Sequence, residues 1–173
     1  VDTILGPEMK STGEVMGIGK TFSEAFIKSQ LAAGIRFPTK IPGKLAFISV
    51  RDHDKPAAVD LARKLQMLGF NLVATKGTAE YIGSRGIQVE TVKKVTEGRP
   101  HIVDRIKNGQ ISFILNTVEE RKSAIKDSRS IRTSALSESV TTYTTLAGAK
   151  AAVDGLSSLA ASKVEVYDLK SLH

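Results

Sequence analysis

Between Leu45 and Tyr143 short apolar runs alternate with amphipathic stretches, and glycines punctuate the alternation. The runs Leu45–Val50, Asn71–Thr75, Ile87–Val92, Ile111–Leu115 and Val140–Tyr143 have strand length and strand composition. The stretches Pro56–Leu68, Thr78–Ser84, Ile102–Asn108, Ser128–Leu136 and Leu146–Ala161 read as helices. In the first of these Ala58, Leu61, Ala62, Leu65 and Leu68 recur at helical spacing, and Gly69 follows. Strands separated by helices form right-handed βαβ units and a parallel sheet. A continuous run such as Ile111-Ser-Phe-Ile-Leu115 suits a strand covered on both faces. The pattern therefore predicts an α/β fold, three-layer and Rossmann-like, with helices on both faces of the sheet. Lys163–Asp168 reads as a sixth, edge strand. Ligands of such sheets bind at the loops after the strand ends. Here those loops are Arg51–Lys55, Lys76–Thr78, Lys93–Arg99 and Asn116–Arg121.

The first 43 residues follow another pattern. Ser11–Lys20 is glycine-rich and polar and reads as loop. Thr21 and Glu24 have the spacing of a capping box. A helix from Phe22 to Ala33 follows, with Phe22, Ala25, Phe26 and Ala33 on an apolar face that Ser29 interrupts, and Gly34 ends it. The prolines and glycine of Phe37–Gly43 form a linker. The expected division is thus a tail and linker helix over 1–43 and a compact domain over 44–173. Val1 is not an initiator Met and Val1–Pro7 has no periodic pattern, as in a piece of a longer chain.

Composition narrows the chemistry. The chain has no cysteine, which rules out disulfides, thiolate nucleophiles and Cys-based metal sites. This fits a cytosolic setting, and the 173 residues with 41% hydrophobic content suffice for one core. No apolar run approaches the ~20 residues of a membrane span, and no leader pattern precedes the fold. The net charge is +7, and the excess lies between Thr91 and Thr133. A basic surface can meet nucleic acid, a membrane or a phosphorylated small molecule. With 5% aromatics and no nucleic-acid motif, stacking platforms for single strands are few.

Thr75-Lys76-Gly77-Thr78 is the strongest local signal. Two hydroxyls flank a glycine where a strand gives way to a helix and backbone N–H groups become free, an arrangement that suits phosphate. A glycine turn with threonine caps has the same spacing, so convergence must decide. Lys55, Lys94 and Arg99 fall on the same predicted edge and can make charge-assisted bonds to phosphate oxygens. Asn116 ends a buried strand, where its amide can meet a ligand or satisfy nearby backbone. Thr117 follows it, and Arg121 lies on the same loop behind Glu119-Glu120. Of the three histidines only His53 sits on this edge. His101 precedes a helix as a cap or packing residue, and His173 is terminal. No two histidines have metal-ligand spacing, and HExxH, the P-loop, GxGxxG and the nucleophile elbow are all missing.

Several motifs resemble one family. Leu5-Gly-Pro-Glu-Met-Lys-Ser-Thr-Gly-Glu-Val-Met-Gly17 resembles the segment leaving the second ATP-grasp unit of carbamoyl phosphate synthase large chains. Val95-Thr-Glu-Gly-Arg-Pro-His-Ile-Val-Asp-Arg-Ile-Lys-Asn-Gly109, Ile131–Leu136 and Thr144–Leu146 resemble the regulatory domain that ends the same chains. The resemblance runs from about Leu5 to Ala161. It implies a methylglyoxal-synthase-like fold with a five-stranded parallel sheet, and an allosteric domain that binds UMP or IMP. By position, Lys55, Thr75, Thr78 and Lys94 match the family's phosphate-site residues. Gly77 lies between the two threonines, Asn116 matches an amide near ribose and base, and Arg121 is a weaker match. Val118 replaces a family threonine, Glu119-Glu120 replaces small residues and Ser123 is inserted. Thr144 matches a threonine at an ornithine junction, where Tyr143 replaces the preceding family Asp. The resemblance further implies upstream synthetase domains and a glutaminase small chain as partners, and no nucleic acid or membrane. It implies no cofactor for the fragment, while the parent ligase uses ATP with Mg or Mn, and K. The same fold serves methylglyoxal synthase, which needs a carboxylate base beside a bound phosphate. That base aligns near Arg99, and a guanidinium cannot take its place. The remaining alternative is a docking module whose effector site is degenerate.

Overall fold

The structure, a computed structural model, describes residues 19–33, 37, 40–118 and 122–171. The loop expected at 11–18, the stop at Gly34, Arg121 and His173 lie outside the described residues. The elements in chain order are α1 (Gly19–Ala32), β1 (Leu45–Ser49), α2 (Lys55–Leu68), β2 (Asn71–Thr75), α3 (Lys76–Gly83) and β3 (Glu90–Val92). Then come α4 (Ile102–Lys107), β4 (Ile111–Asn116), α5 (Lys122–Ser137), β5 (Thr141–Tyr143) and α6 (Leu146–Ser171). Short 3-10 turns at Asp52–Asp54 and Val95–Glu97 precede α2 and α4.

All five strands are parallel, in the order β3-β2-β1-β4-β5. The chain steps outward from β1 to β3, then returns to place β4 on the other side of β1. That reversal opens a crevice at the carboxyl ends of β1 and β4. Ser49 pairs with Asn116 at its floor.

Strand alternation sends side chains to two cores. Ala46, Ile48, Leu72, Ala74, Phe113 and Leu115 face one side, where Leu61 and Leu65 of α2, Ile82 of α3 and Val153 of α6 cover them. Phe47, Val73 and Ile114 face the other, under Ile102 and Ile106 of α4 and Ile131 of α5. Each fully buried Ile, Leu or Phe contributes roughly 1.5–3 kcal/mol, which is what holds both layers on the sheet.

Several boundaries differ from the sequence pattern. α1 begins at Gly19, so Thr21 lies inside the helix and cannot be its N-cap. Its buried residues are Phe26 and Ile27, while Ala25 and Ala33 are exposed. Ile27 removes far more apolar surface from water than an alanine, so it sets the face that packs toward α6. β3 begins at Glu90, three residues later than its apolar run, because the Gln88 carbonyl accepts from the Gln66 amide at 3.1 Å. Lys163–Asp168, expected as an edge strand, is part of α6. Once nucleated, a helix adds one hydrogen bond for each residue it fixes, and no Gly or Pro interrupts this stretch. Gly69 ends α2 in the left-handed region at φ 110°, and a Cβ there would lie 3.1 Å from Pro42. The linker thus closes over the end of α2, where the Gly43 N–H donates to the Gly69 carbonyl.

Candidate functional site: a cleft at the ends of β1 and β4

A cavity of about 60 Å³ opens at the strand ends. Thr75, Lys94, Asn116 and Thr117 line it, together with Ser49, Arg51, Val118, Asp127, Ser128 and Ile131. Four loops far apart in sequence meet here, because parallel strands place every carboxyl end on one edge.

The polar groups hold one another in place. Thr75 donates its hydroxyl to Ser49 Oγ at 3.1 Å. The Thr78 hydroxyl accepts the Val50 N–H at 3.2 Å, and the Thr117 hydroxyl accepts the Arg51 N–H at 2.9 Å. These two bonds fix the loop after β1 from both sides. Asn116 donates from Nδ2 to Ser128 Oγ at 2.8 Å, and its carbonyl oxygen is an acceptor. All of these threonines and Asn116 are buried, so their positions are set by the fold.

α3 starts at Lys76, two residues before its apolar pattern, with Thr75 as the extended N-cap residue. The Thr75 side chain makes no cap bond, and its hydroxyl donates to Ser49 instead. The N–H groups of Lys76 and Gly77 therefore have neither an intrahelical partner nor a side-chain cap. Lys55 reaches this helix end: its Nζ lies 3.2 Å from where a Cβ on Gly77 would sit. Lys55 also pairs with the Asp52 carboxylate. The helix end, its dipole and the lysine together favour an anion. Thr78 belongs to the same helix, and its hydroxyl braces Val50 just after β1.

Arg99 stands apart from the edge on which it was expected. Its guanidinium binds Asp104 through two hydrogen bonds, in a groove between α4 and α5. The Arg99 hydrogen bond, the His101 N–H and the nearby positive charge hold the Asp104 carboxyl at about 2, below the usual 3.8. His101 is the N-cap of α4, as its place before the helix implied: its Nδ1 accepts the Asp104 N–H at 3.3 Å. His53 is exposed in the turn before α2. Thr144 follows β5 and does not line the cleft. Beside it Tyr143 turns inward, its ring 5.6 Å from that of Phe113 and its hydroxyl 3.3 Å from Gln30 Oε1 of α1. Burial raises the Tyr143 pKa above its usual 10.

Sequence reasoning missed Ser49, Ser128 and above all Asp127. Asp127 is 8% exposed and faces the cleft, and its Oδ1 has no hydrogen-bond partner. Among the described residues its Oδ2 has only a long contact, 3.4 Å, from the Thr96 hydroxyl. A buried carboxylate oxygen without a donor is costly and calls for a ligand hydroxyl, an N–H or water. The only hint in the sequence was a single acid in a basic stretch.

The MGS-like domain model matches residues 57–144, the span from α2 to the end of β5. The chain belongs to the MGS-like domain family. Over its whole length this MGS-like domain is 57% identical to the carbamoyl phosphate synthase large chain of Ralstonia nicotianae, of which it covers 16%. It is 54% identical over 98% of its length to the large chain of Myxococcus xanthus, covering 15% of that protein. It is also 50% identical to the C-terminal section of the large chain of Methanopyrus kandleri, all of this chain against 31% of that one. The domain thus spans about a sixth to a third of these relatives. A crystal structure of methylglyoxal synthase from Elizabethkingia anophelis matches with a TM-score of 0.51 at 19% identity, over 65% of this chain and 79% of that one. That likeness shows the shared fold.

Proposed function

We propose that this MGS-like domain is the allosteric domain of a glutamine-hydrolysing carbamoyl phosphate synthase, and that its cleft binds a nucleotide monophosphate such as UMP or IMP. The observation that carries the reading is the start of α3, which has no side-chain cap and is reached by Lys55, beside a cleft that Thr75 and Lys94 line. The phosphate sits at the start of α3, between Lys55 and the hydroxyl of Thr75. The carbonyl of Asn116 and the carboxylate of Asp127 then accept from ribose or base. A cavity of about 60 Å³ takes the phosphate end, so ribose and base extend across Val118 and Ile131 toward the rim. Arg121 adjoins that rim in sequence.

In the same reading residues 1–43 carry the link to upstream synthetase domains, and 44–173 form the regulatory unit. The parent ligase uses ATP with Mg or Mn, and K, works with a glutaminase small chain in the cytoplasm, and serves pyrimidine and arginine synthesis. The domain itself turns nothing over. An effector acts by binding two states of the parent unequally, a coupling of ~1–3 kcal/mol. The inward turn of Tyr143 leaves Thr144 alone at the ornithine junction, which weakens that response.

Calorimetric titration of the 173-residue chain with UMP and IMP tests the reading. Saturable binding that Lys94→Ala weakens supports it, whereas no heat with either nucleotide at millimolar concentration refutes it. One observation favours a second reading, a phosphate-eliminating enzyme: Asp127 puts a carboxylate in the cleft, where the alignment had placed only Arg99. Formation of methylglyoxal from dihydroxyacetone phosphate, lost in Asp127→Asn and His53→Ala, is the result that selects it.

A further inference from the structure

Asp127 is the one acid among the described residues that line the cleft. A site for phosphate alone gains nothing from it, because a carboxylate repels phosphate and has no proton to donate. We propose that Asp127 reads the sugar of the bound nucleotide: it accepts from a ribose hydroxyl and so makes the cleft selective for ribonucleotides. This rests on the nucleotide reading above and commits it to one part of the ligand.

The fold fixes where Asp127 stands. Ser128, next in sequence, accepts from Asn116 Nδ2 at 2.8 Å, which ties this turn of α5 to the end of β4. Arg129, Ser130 and Thr133 of the same helix line the groove on its other side, so Asp127 and Ile131 are left to the cleft. The Thr96 hydroxyl, from the Val95–Glu97 turn, approaches Oδ2 at 3.4 Å. Oδ1 is buried and has no donor among the described residues. A buried acceptor in that state is costly, and a donor on a ligand removes the cost.

The phosphate end decides which donor arrives. Thr75, at the start of α3, lines the same cavity as Asp127. At about 60 Å³ that cavity is too small for a whole nucleotide, so a donor inside it must lie close to the phosphate. In a nucleoside monophosphate the sugar stands between phosphate and base, and hydroxyls are the only donors it carries. The N–H groups of the base lie beyond it, toward the rim. A hydroxyl donating to a carboxylate makes a charge-assisted bond, stronger than one between neutral groups.

The test is calorimetric titration of the 173-residue chain with UMP and IMP, each beside its 2′,3′-dideoxy analogue. The ribonucleotide should bind about tenfold or more tightly than the analogue. Asp127→Ala should bring the two within about threefold. Asp127→Asn keeps the shape and a neutral carbonyl acceptor, and its ratio should fall between. A loss of packing alone would weaken both ligands and leave their ratio unchanged. Equal binding of ribonucleotide and analogue by the parent chain overturns this inference and leaves the nucleotide reading standing. A ratio that survives in both variants assigns the hydroxyl to another residue and also overturns it. No heat with either UMP or IMP at millimolar concentration refutes the nucleotide reading, and this inference with it.

Discussion

The cleft at the strand ends and the groove between α4 and α5 share one helix and one turn, yet they are built differently. In the cleft Thr75, Asn116, Thr117, Asp127 and Ser128 are all buried, and hydrogen bonds tie Thr75 to Ser49, Thr117 to the Arg51 N–H and Asn116 to Ser128. In the groove Arg99, Lys107, Arg129 and Thr133 are exposed. A buried network costs desolvation and repays it with shape, whereas exposed cations attract at distance and are screened by salt. The shape of the cleft is therefore set by the fold, whereas that of the groove follows its exposed side chains.

The largest effect comes from removing what the two recesses share. Ile114 is fully buried beneath α4 and α5. Ile114→Ala should cost ~2–5 kcal/mol in urea unfolding and loosen both recesses together. A loss that spared one of them would show that the helices are held separately. Next is Thr78→Val, which keeps the shape but strands the Val50 N–H in the cleft wall. It should cost ~1–3 kcal/mol and leave the groove unchanged.

Lys94→Ala tests the cleft alone. Nucleotide affinity should fall about tenfold with the unfolding midpoint unchanged, as read by calorimetry. Asp127→Asn removes a buried charge with an unpaired oxygen. Its midpoint should rise by up to ~1 kcal/mol while nucleotide binding weakens, the trade expected of a binding residue. A purely structural Asp127 would lower both.

The smallest effect lies on the groove side, in the pH dependence of Asp104. Its folded pKa of about 2 lies below the usual 3.8. Its contribution is therefore fully present above the unfolded value and is lost as pH falls through about 2. Acid unfolding of Asp104→Asn should be flatter than that of the parent chain between pH 4 and 2.

The α/β class was legible in the alternation from Leu45 to Tyr143, because strand and helix periods are local and survive without knowledge of neighbours. Thr75, Lys94, Asn116 and Thr117 were legible for a related reason: parallel topology sends every strand end to one edge, so sequence position implies place. What lay beyond reach was which side chains answer one another across the chain. The Arg51 N–H meets the Thr117 hydroxyl 66 residues away, and Asn116 meets Ser128 across a loop. The expected face of α1 missed Ile27, since only packing toward α6 selects it. Lys163–Asp168 alternated like a strand, yet the continuity of α6 overrode that pattern. Arg99 looked like a phosphate ligand until the fold set Asp104 beside it, and Asp127 looked like one acid among many cations until α5 turned it inward. The sequence by itself determined the layers and the edge on which a ligand sits, through local periodicity. Tertiary structure alone decided which charges are spent on each other and which remain for a partner, because burial and pairing are properties of neighbours in space.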